Sequence, residues 1–370
     1  MAGDQPEVLI IGAGPVGLTA ALELKRRGFH PRVIDKSSGP AGQSRALAVN
    51  PRSLEILTPS GVTEKLLASG NKLLRSFIVE GGRTIFTLRM ERLKHAHPYM
   101  LIVPQSTTEM VLIDRLEELG VEIEWQTELM ELTIDDGAVT AVIAKDDDVF
   151  YATPTYLIGA DGAHSMTRQF AGFAFSGTSY PIVFALADIH YQQPRDPTAA
   201  TIELVPGGAV ASFPIDAHTV RHVGTSADVV TLVRNRRSGS ELIWDSNFHV
   251  SFRHVDALSN GPVFLAGDAA HVHSPVGGRG MNLGIEDAAW LAWLIETGET
   301  ERYNELRLPA AKRVINFTRT QTDQLFQGGH LSGFARRNLA PLMLAIPFVE
   351  QFALRRLTCL DTPAPPWLET

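Results

Sequence analysis

The chain has 370 residues, too many for one small core, so two domains or one domain with a large insertion are expected. Its 44% hydrophobic and 20% charged residues are an ordinary globular mixture, and a net charge of −8 without a long Lys/Arg block argues against a nucleic-acid partner. The single cysteine, Cys359, excludes an intramolecular disulfide framework and a cysteine-rich metal site and fits a reducing compartment.

Residues 1–7 are polar and lead into a strand, Glu7–Ile11, so no signal peptide is expected. No run approaches a membrane span, and a cytoplasmic location is expected. Gly12-Ala13-Gly14-Pro15-Val16-Gly17 follows at once, then a helix from about Val16 to Arg27, then a strand Pro31–Ile34 ending at Asp35. This is a dinucleotide fingerprint in its proper place between strand and helix. Gly12 makes the tight turn, Gly14 lets the backbone approach a pyrophosphate, and Gly17 allows close packing; Asp35 has the offset of an acid that grips a ribose. Next, Arg45 precedes a short apolar segment and Pro51 starts a helix; on pattern alone Arg45 reads as a surface charge.

Ile78–Leu88, turning at Gly81-Gly82, and Met100–Pro104 read as the first strands of a second, sheet-rich domain. Thr107–Leu119 is an amphipathic helix and Val121–Trp125 a strand. Asp135-Asp136-Gly137 turns a hairpin between Leu129–Ile134 and Ala138–Ile143, and Asp146–Asp148 is a solvated turn. Tyr156–Ala160 is a buried strand ending in Asp161-Gly162, where the acid can cap the next helix. From Phe173 to Arg253 the alternation of Ile182–Ile189, Thr201–Val205, Ala209–Pro214, Arg221–Ser226 and Phe248–Phe252 predicts a mostly antiparallel inserted sheet, with Ser226–Trp244 a loop carrying a short helix.

Val263–Ala266 is again a buried strand, ended by Gly267-Asp268 and followed by a glycine-rich turn through Pro275, Gly277, Gly278 and Gly280. A helix begins near Met281. Its free first-turn N–H groups suit a group that becomes anionic, as the N1/C2-oxygen edge of a flavin does on reduction. His271 and His273 lack a third ligand at metal spacing and are read as orienting the loop; no metal is expected. Arg302–Thr322 is a long helix. The apolar segment Leu339–Leu357, flanked by Arg336, Arg337, Arg355 and Arg356, is expected to pack across its own domain rather than rest on a membrane or partner. The tail Pro363–Trp367 is turn-like.

Taken together, G-A-G-P-V-G at Gly12–Gly17, A-D-G-A-H-S at Ala160–Ser165, A-G-D-A-A-H-V-H-S-P at Ala266–Pro275 and G-R-G-M-N-L-G-I-E-D-A at Gly278–Ala288 resemble the para-hydroxybenzoate hydroxylase-like FAD monooxygenases, the class A flavoprotein hydroxylases. The run S-R-A-L-A to P-R-S-L-E-I-L around Arg45 and Arg52, and V-P-Q-S at Val103–Ser106, resemble the aromatic polyketide hydroxylases among them. The resemblance implies an α/β fold: a Rossmann-type FAD-binding domain, an inserted, mostly antiparallel substrate-binding sheet, and C-terminal helices. FAD-binding parts would be 1–75, 105–172 and 256–300, substrate-domain parts 76–104 and 173–255, and the C-terminal helical segment 301–370.

The resemblance also implies roles. Gly12, Gly14, Pro15 and Gly17 would hold the FAD pyrophosphate, and Asp35, beside Lys36, the adenosine ribose. Arg45 would lie along the flavin, and Gln105 would contact the cofactor. Asp161, with Arg168 close by, would link the FAD site to transient NADPH or NADH binding. Gly267 and Asp268 would meet the ribityl chain, and Pro275, Gly280, Met281, Asn282 and Leu283 would frame the isoalloxazine. NAD(P)H would reduce the flavin, and O2 would form a C4a-hydroperoxide that hydroxylates an aromatic substrate, Arg45 and Pro275 flanking the reactive C4a.

His190, Glu203, His222 and His254 fall in the inserted region, but no catalytic base is assigned. The inserted domain is shorter than usual in the family, position 35 is Asp rather than Glu, and no thioredoxin-like extension is expected. The halogenase W-x-W-x-I-P motif is missing, since Trp290 and Trp293 stand in W-L-A-W. The alternatives are an NAD(P)H-dependent reductase or oxidase of the same fold, or a non-catalytic FAD-binding homologue; a monomer or homodimer is expected.

Overall fold

A computed structural model describes residues 6–42, 46–206, 208–235, 239–326 and 340–368. At its centre Val8–Ile11, Pro31–Ile34, Tyr156–Gly159 and Val263–Leu265 run parallel in a six-stranded sheet. The order is Ser259–Asn260, Val263–Leu265, Tyr156–Gly159, Val8–Ile11, Pro31–Ile34, Ile123–Glu124. Val8–Ile11 and Val263–Leu265 are apolar throughout because both faces are covered, while Pro31–Ile34 begins with the half-buried Pro31 and Arg32. Val8, Ile10, Val33 and Ile158 meet the helices Pro15–Arg26, Gln105–Glu118 and Gly280–Thr297. The alternate residues Leu9, Ile11, Ile34 and Leu157 meet Leu129, Leu132, Val139 and Ile143 of the three-stranded sheet Thr127–Asp135, Ala138–Lys145, Asp148–Ala152.

The second large sheet has eight strands, in the order His271–Val272, Glu241–Val255, Phe175–His190, Thr219–Thr225, Gly208–Pro214, Ala199–Val205, Arg75–Glu80, Arg83–Arg89. All its pairings are antiparallel except that of Ala199–Val205 with Arg75–Glu80. Two strands are much longer than their alternation predicts. Phe175–His190 and Glu241–Val255 pair from Phe175↔Val255 to His190↔Glu241, with one register shift between Ser179 and Val183 that absorbs the break at Pro181 and another between Asp188 and Ile189. Pairing along the partner thus extends both strands through residues whose own pattern is weak.

Two expectations are corrected and a third is refined. Met100–Ile102 does not join the eight-stranded sheet; it pairs with Ala48–Val49 and Asn71–Leu73, and all three of its residues are buried. The stretch Ser226–Trp244 carries the short helix expected, Ser226–Arg234, which Thr225 caps by accepting from Asp228 N and whose Val229 packs on Ala185, Ala187 and Ile189, but from Glu241 it is strand. The C-terminal apolar segment is two helices, Ala340–Leu344 and Pro347–Leu357. Pro347 forces Ile346 into extended geometry, and although Leu354 is buried, Phe348 is 79% exposed. Residue 339 lies outside the described residues, as do Arg336 and Arg337. Among the described residues no helix is long and apolar enough to cross a membrane.

The helices Pro15–Arg26 and Gly280–Thr297 pack closely against each other, and a Cβ on Gly284 would come within 2.5 Å of Val16 Cγ2 and 3.0 Å of Gly267 Cα. Gly284→Ala is expected to cost roughly 1–3 kcal/mol in chemical denaturation, as overpacking does. Adding Val16→Ala should recover part of the loss; a variant pair that simply adds its losses contradicts this contact.

Candidate functional site

The carboxyl ends of the parallel strands meet at one edge of the sheet, where open α/β sheets bind ligands. After Ile11 the chain turns at Gly12, with φ +106°, and Gly12 N donates to Ile34 O at 2.8 Å. A Cβ on Gly12 would lie 2.5 Å from Ala160 O, and one on Gly17 would collide with Gly12 O, while the space over Gly14 is open. Pro15 opens the first helix; no side chain caps it and its first turn holds no acid. Asp35 accepts from Ala13 N at 2.7 Å through one oxygen and from Ser37 N at 2.8 Å through the other, so it braces the glycine turn. Lys36 is exposed beside it.

The second motif ends the neighbouring strand. Asp161 Oδ2 accepts from Thr167 N and Oγ1, each at 3.0 Å, so the acid does brace the short helix that Ser165 caps. Its other oxygen, Oδ1, is buried with no hydrogen-bond partner among the described residues. Arg168 ties this motif to the third: it donates to Ala163 O and Ala269 O, each at 2.9 Å, and stacks 3.9 Å over Phe175.

In the third motif Gly267–Ala269 forms a single helical turn with Asp268 exposed, and Pro275 is exposed in the loop beyond. The helix Gly280–Thr297 has no side-chain cap and no acid in its first turn. Gly280 and Met281 are half-buried. Asn282 is buried, and its amide is fully engaged. Its Nδ2 donates to Ala48 O at 2.9 Å and Gly278 O at 2.8 Å, and its Oδ1 accepts from Asn50 N at 2.9 Å and Ser53 Oγ at 2.8 Å. Only its backbone remains to face a ligand. The Leu283 side chain packs with Ala311 and Val314, in the core rather than on the loop. Gln105 N donates to Ala46 O at 3.2 Å, which lays the Val103–Ser106 segment beside residues 46–48. Arg45 lies outside the described residues.

Several residues that hold the site were not read from the sequence. Glu109, buried, takes Gln105 Nε2 at 2.8 Å and Ala41 N at 3.2 Å, and burial pushes its carboxyl up. Asp287 accepts from Arg307 Nε at 2.8 Å and lies 2.6 Å from His271 Nε2, all three side chains being buried. Burial opposes the charge on Asp287, but Arg307 and His271 outweigh it and hold the carboxyl below its ordinary range. Burial pushes Glu286 up, offset only in part by Arg307. The available signal was an acid pair, Glu286-Asp287, in an otherwise apolar helix.

His271 therefore orients the loop, as expected. His273 bonds Ser274 O at 2.9 Å, and burial pushes it down to about 4, so it stays neutral. Among the described residues no cluster has the makings of a metal site. His222 is held between Ser212 Oγ at 2.8 Å and Tyr191 OH at 2.9 Å and is pushed down to about 4 by burial. His254 bonds Val255 O, His190 stacks on His218, and Glu203 is exposed.

A family profile described as an FAD binding domain matches residues 5–226 and 217–318. The chain belongs to this FAD-binding family. It is 37% identical over 347 residues to 6-methylpretetramide 4-monooxygenase of Streptomyces rimosus, a match covering 86% of this chain and 62% of that relative. The chain thus spans less than two thirds of that enzyme's length. It is 31% identical to YhjG of Bacillus subtilis, described as an uncharacterized aromatic compound monooxygenase, covering 96% of this chain and 75% of YhjG. Its fold superposes on the structure of OxyS anhydrotetracycline hydroxylase from Streptomyces rimosus with a TM-score of 0.82 and 28% identity, covering 98% of this chain and 77% of OxyS.

The site fits FAD in its chemistry. Two uncapped helix N-termini offer N–H groups to anionic or electron-rich atoms, an unpartnered carboxylate oxygen at Asp161 can accept a hydroxyl, and the space over Gly14 leaves a phosphate room to approach. The buried cluster behind the second helix should be structural. Arg307→Met would take the guanidinium from both buried acids and leave Asp287 only its His271 and Gly267 contacts, at about 3–5 kcal/mol. Asp287 is held low in the folded chain, so its stabilisation is present above its unfolded value and lost as pH falls through the folded one. Losing Arg307 should therefore also move acid unfolding to higher pH; an unchanged urea midpoint and acid limb would contradict the pairing.

Proposed function

We propose that the chain is an FAD-dependent monooxygenase that uses NAD(P)H and O2 to hydroxylate an aromatic small molecule, with a polycyclic phenol of the polyketide type as the best-supported substrate class. The observation that carries this reading is the convergence, at one sheet edge, of both uncapped helix N-termini with the unpartnered oxygen of Asp161. Bound FAD would supply hydride acceptance from NAD(P)H and activation of oxygen.

The chain's own residues then have distinct tasks. The N–H groups at the start of the Pro15–Arg26 helix and the turn at Gly12–Gly14 would bind the pyrophosphate, with Asp35 on the ribose. The N–H groups of Gly280, Met281 and Asn282 would face the electron-rich edge of the ring, where a helix N-terminus favours negative charge. Gly267 and Asp268 would meet the ribityl chain, and Pro275 would lie against the ring. Asp161 and Arg168 would meet the nicotinamide cofactor. Phe213 and Ile215 pack with Leu47 and Ala48, which brings the eight-stranded sheet to the segment expected along the flavin. That apolar face would exclude water and hold an aromatic ring. The relatives named as acting on 6-methylpretetramide and anhydrotetracycline support a multi-ring substrate.

The test is anaerobic reduction of the FAD-loaded protein by NADPH and by NADH in the presence of polycyclic phenols. One ligand should accelerate bleaching by about tenfold or more, a change of about 1.4 kcal/mol in barrier, and air should then yield a hydroxylated product. Fast reduction that no ligand alters, with no oxygenated product, would favour the reductase reading instead.

A further inference from the structure

The residue that opens the helix at the proposed ring edge is Arg279, and its side chain is 1% exposed. Its guanidinium is held by the far C-terminal segment. Arg279 NH2 lies 2.5 Å from Asp361 Oδ1, NH1 lies 3.4 Å from Asp361 Oδ2 and 3.2 Å from Arg356 O, and the ring of Phe317 sits 5.2 Å away. Arg279 Nε is buried without a hydrogen-bond partner among the described residues. The same C-terminal segment reaches the helix a second time, because the Trp367 ring packs against Trp290 and Trp293, and Arg313 holds Asp361 O at 3.1 Å. A full positive charge thus stands one residue before an uncapped helix N-terminus, and its counter-charge comes from a segment 82 positions further along the chain.

We propose that Asp361 is a positioning residue that sets the charge felt by the flavin: by neutralising Arg279 it limits how strongly this helix start favours the reduced, anionic ring. This rests on the reading that FAD binds with its ring edge at Gly280–Asn282. A buried charge and a half-buried one of opposite sign, close together in a medium less polarisable than water, act on a third nearby as a dipole. Removing Asp361 takes away the nearest counter-charge of Arg279, and removing Arg279 leaves Asp361 only the more distant Arg356, 3.9 Å away, so the two removals act in opposite directions.

The experiment is a spectroscopic measurement of the flavin midpoint potential in the FAD-loaded protein, wild type and variants, with the FAD dissociation constant measured alongside. Asp361→Asn exposes the Arg279 charge and should raise the potential; Arg279→Met exposes the Asp361 charge and should lower it. Arg279→Lys and Asp361→Glu keep both charges and should stay near wild type. A pair that served only as a mechanical clasp would weaken FAD binding in both neutral variants and shift the potential of both in the same direction or not at all, and that result overturns the proposal. Should Asp361→Asn fail to fold, Arg279→Met against Arg279→Lys decides it: a lowered potential in the first, with wild-type potential in the second, supports the role, and equal potentials refute it. A wild-type protein that takes up no FAD would instead refute the underlying reading of the site.

Discussion

The amide of Asn282 commits both hydrogens and its oxygen to Ala48, Gly278, Asn50 and Ser53, so one buried side chain fixes the glycine-rich loop, the start of its helix and the 48–53 segment relative to one another. An amide with every donor bonded has one orientation, and replacing it by an apolar group would leave four polar groups, those of Asn50 and Ser53 buried, to find new partners. The remaining geometry follows from that lock. The helix can present its first N–H groups because no side chain caps it, and the 46–48 segment in turn carries Gln105 through a backbone hydrogen bond.

Behind this front, charge does the bracing. Arg307 joins Asp287 and Glu286 beneath the helix, and Asp287 reaches His271 at the other end of the loop. A buried ion pair of this kind is weak evidence of net stability, because desolvation offsets most of the attraction. Its use here is orientation: the strand end, the loop and the helix are held by one carboxylate, and Arg168 extends the tie to the Asp161 turn. The described pieces of the proposed cofactor site are therefore tied to one another by side-chain hydrogen bonds and ion pairs, and such ties lower the cost of ordering on binding.

What could be read from the sequence was local. The turn at Gly12–Gly17 was legible because strand, glycines and helix are contiguous, and the strand-end acids Asp35 and Asp161 were legible for the same reason. Partners far apart in the chain were not. Asn282 could be named as a site residue, but its bonds to residues some 230 positions earlier have no local signature; nor does the Arg279–Asp361 pair. Phe175–His190 and Glu241–Val255 were foreshortened because their length is set by each other rather than by alternation, and Met100–Ile102 was assigned to the wrong sheet because three apolar residues carry no information about their neighbour. The thirteen buried residues of the helix Gly280–Thr297 include Glu286 and Asp287, and that anomaly was visible in the sequence without its explanation, since Arg307 lies on another helix.

The most direct measurement is an FAD titration of the purified protein beside its Asn282→Leu variant, followed by flavin absorbance and fluorescence, with circular dichroism to show that both are folded. The account predicts one FAD per wild-type chain and, in the folded variant, affinity weaker by about tenfold or more, a loss of about 1.4 kcal/mol. A wild-type protein that takes up no FAD, or a variant that binds it equally well, would contradict the claim that these knotted strand ends form the cofactor site.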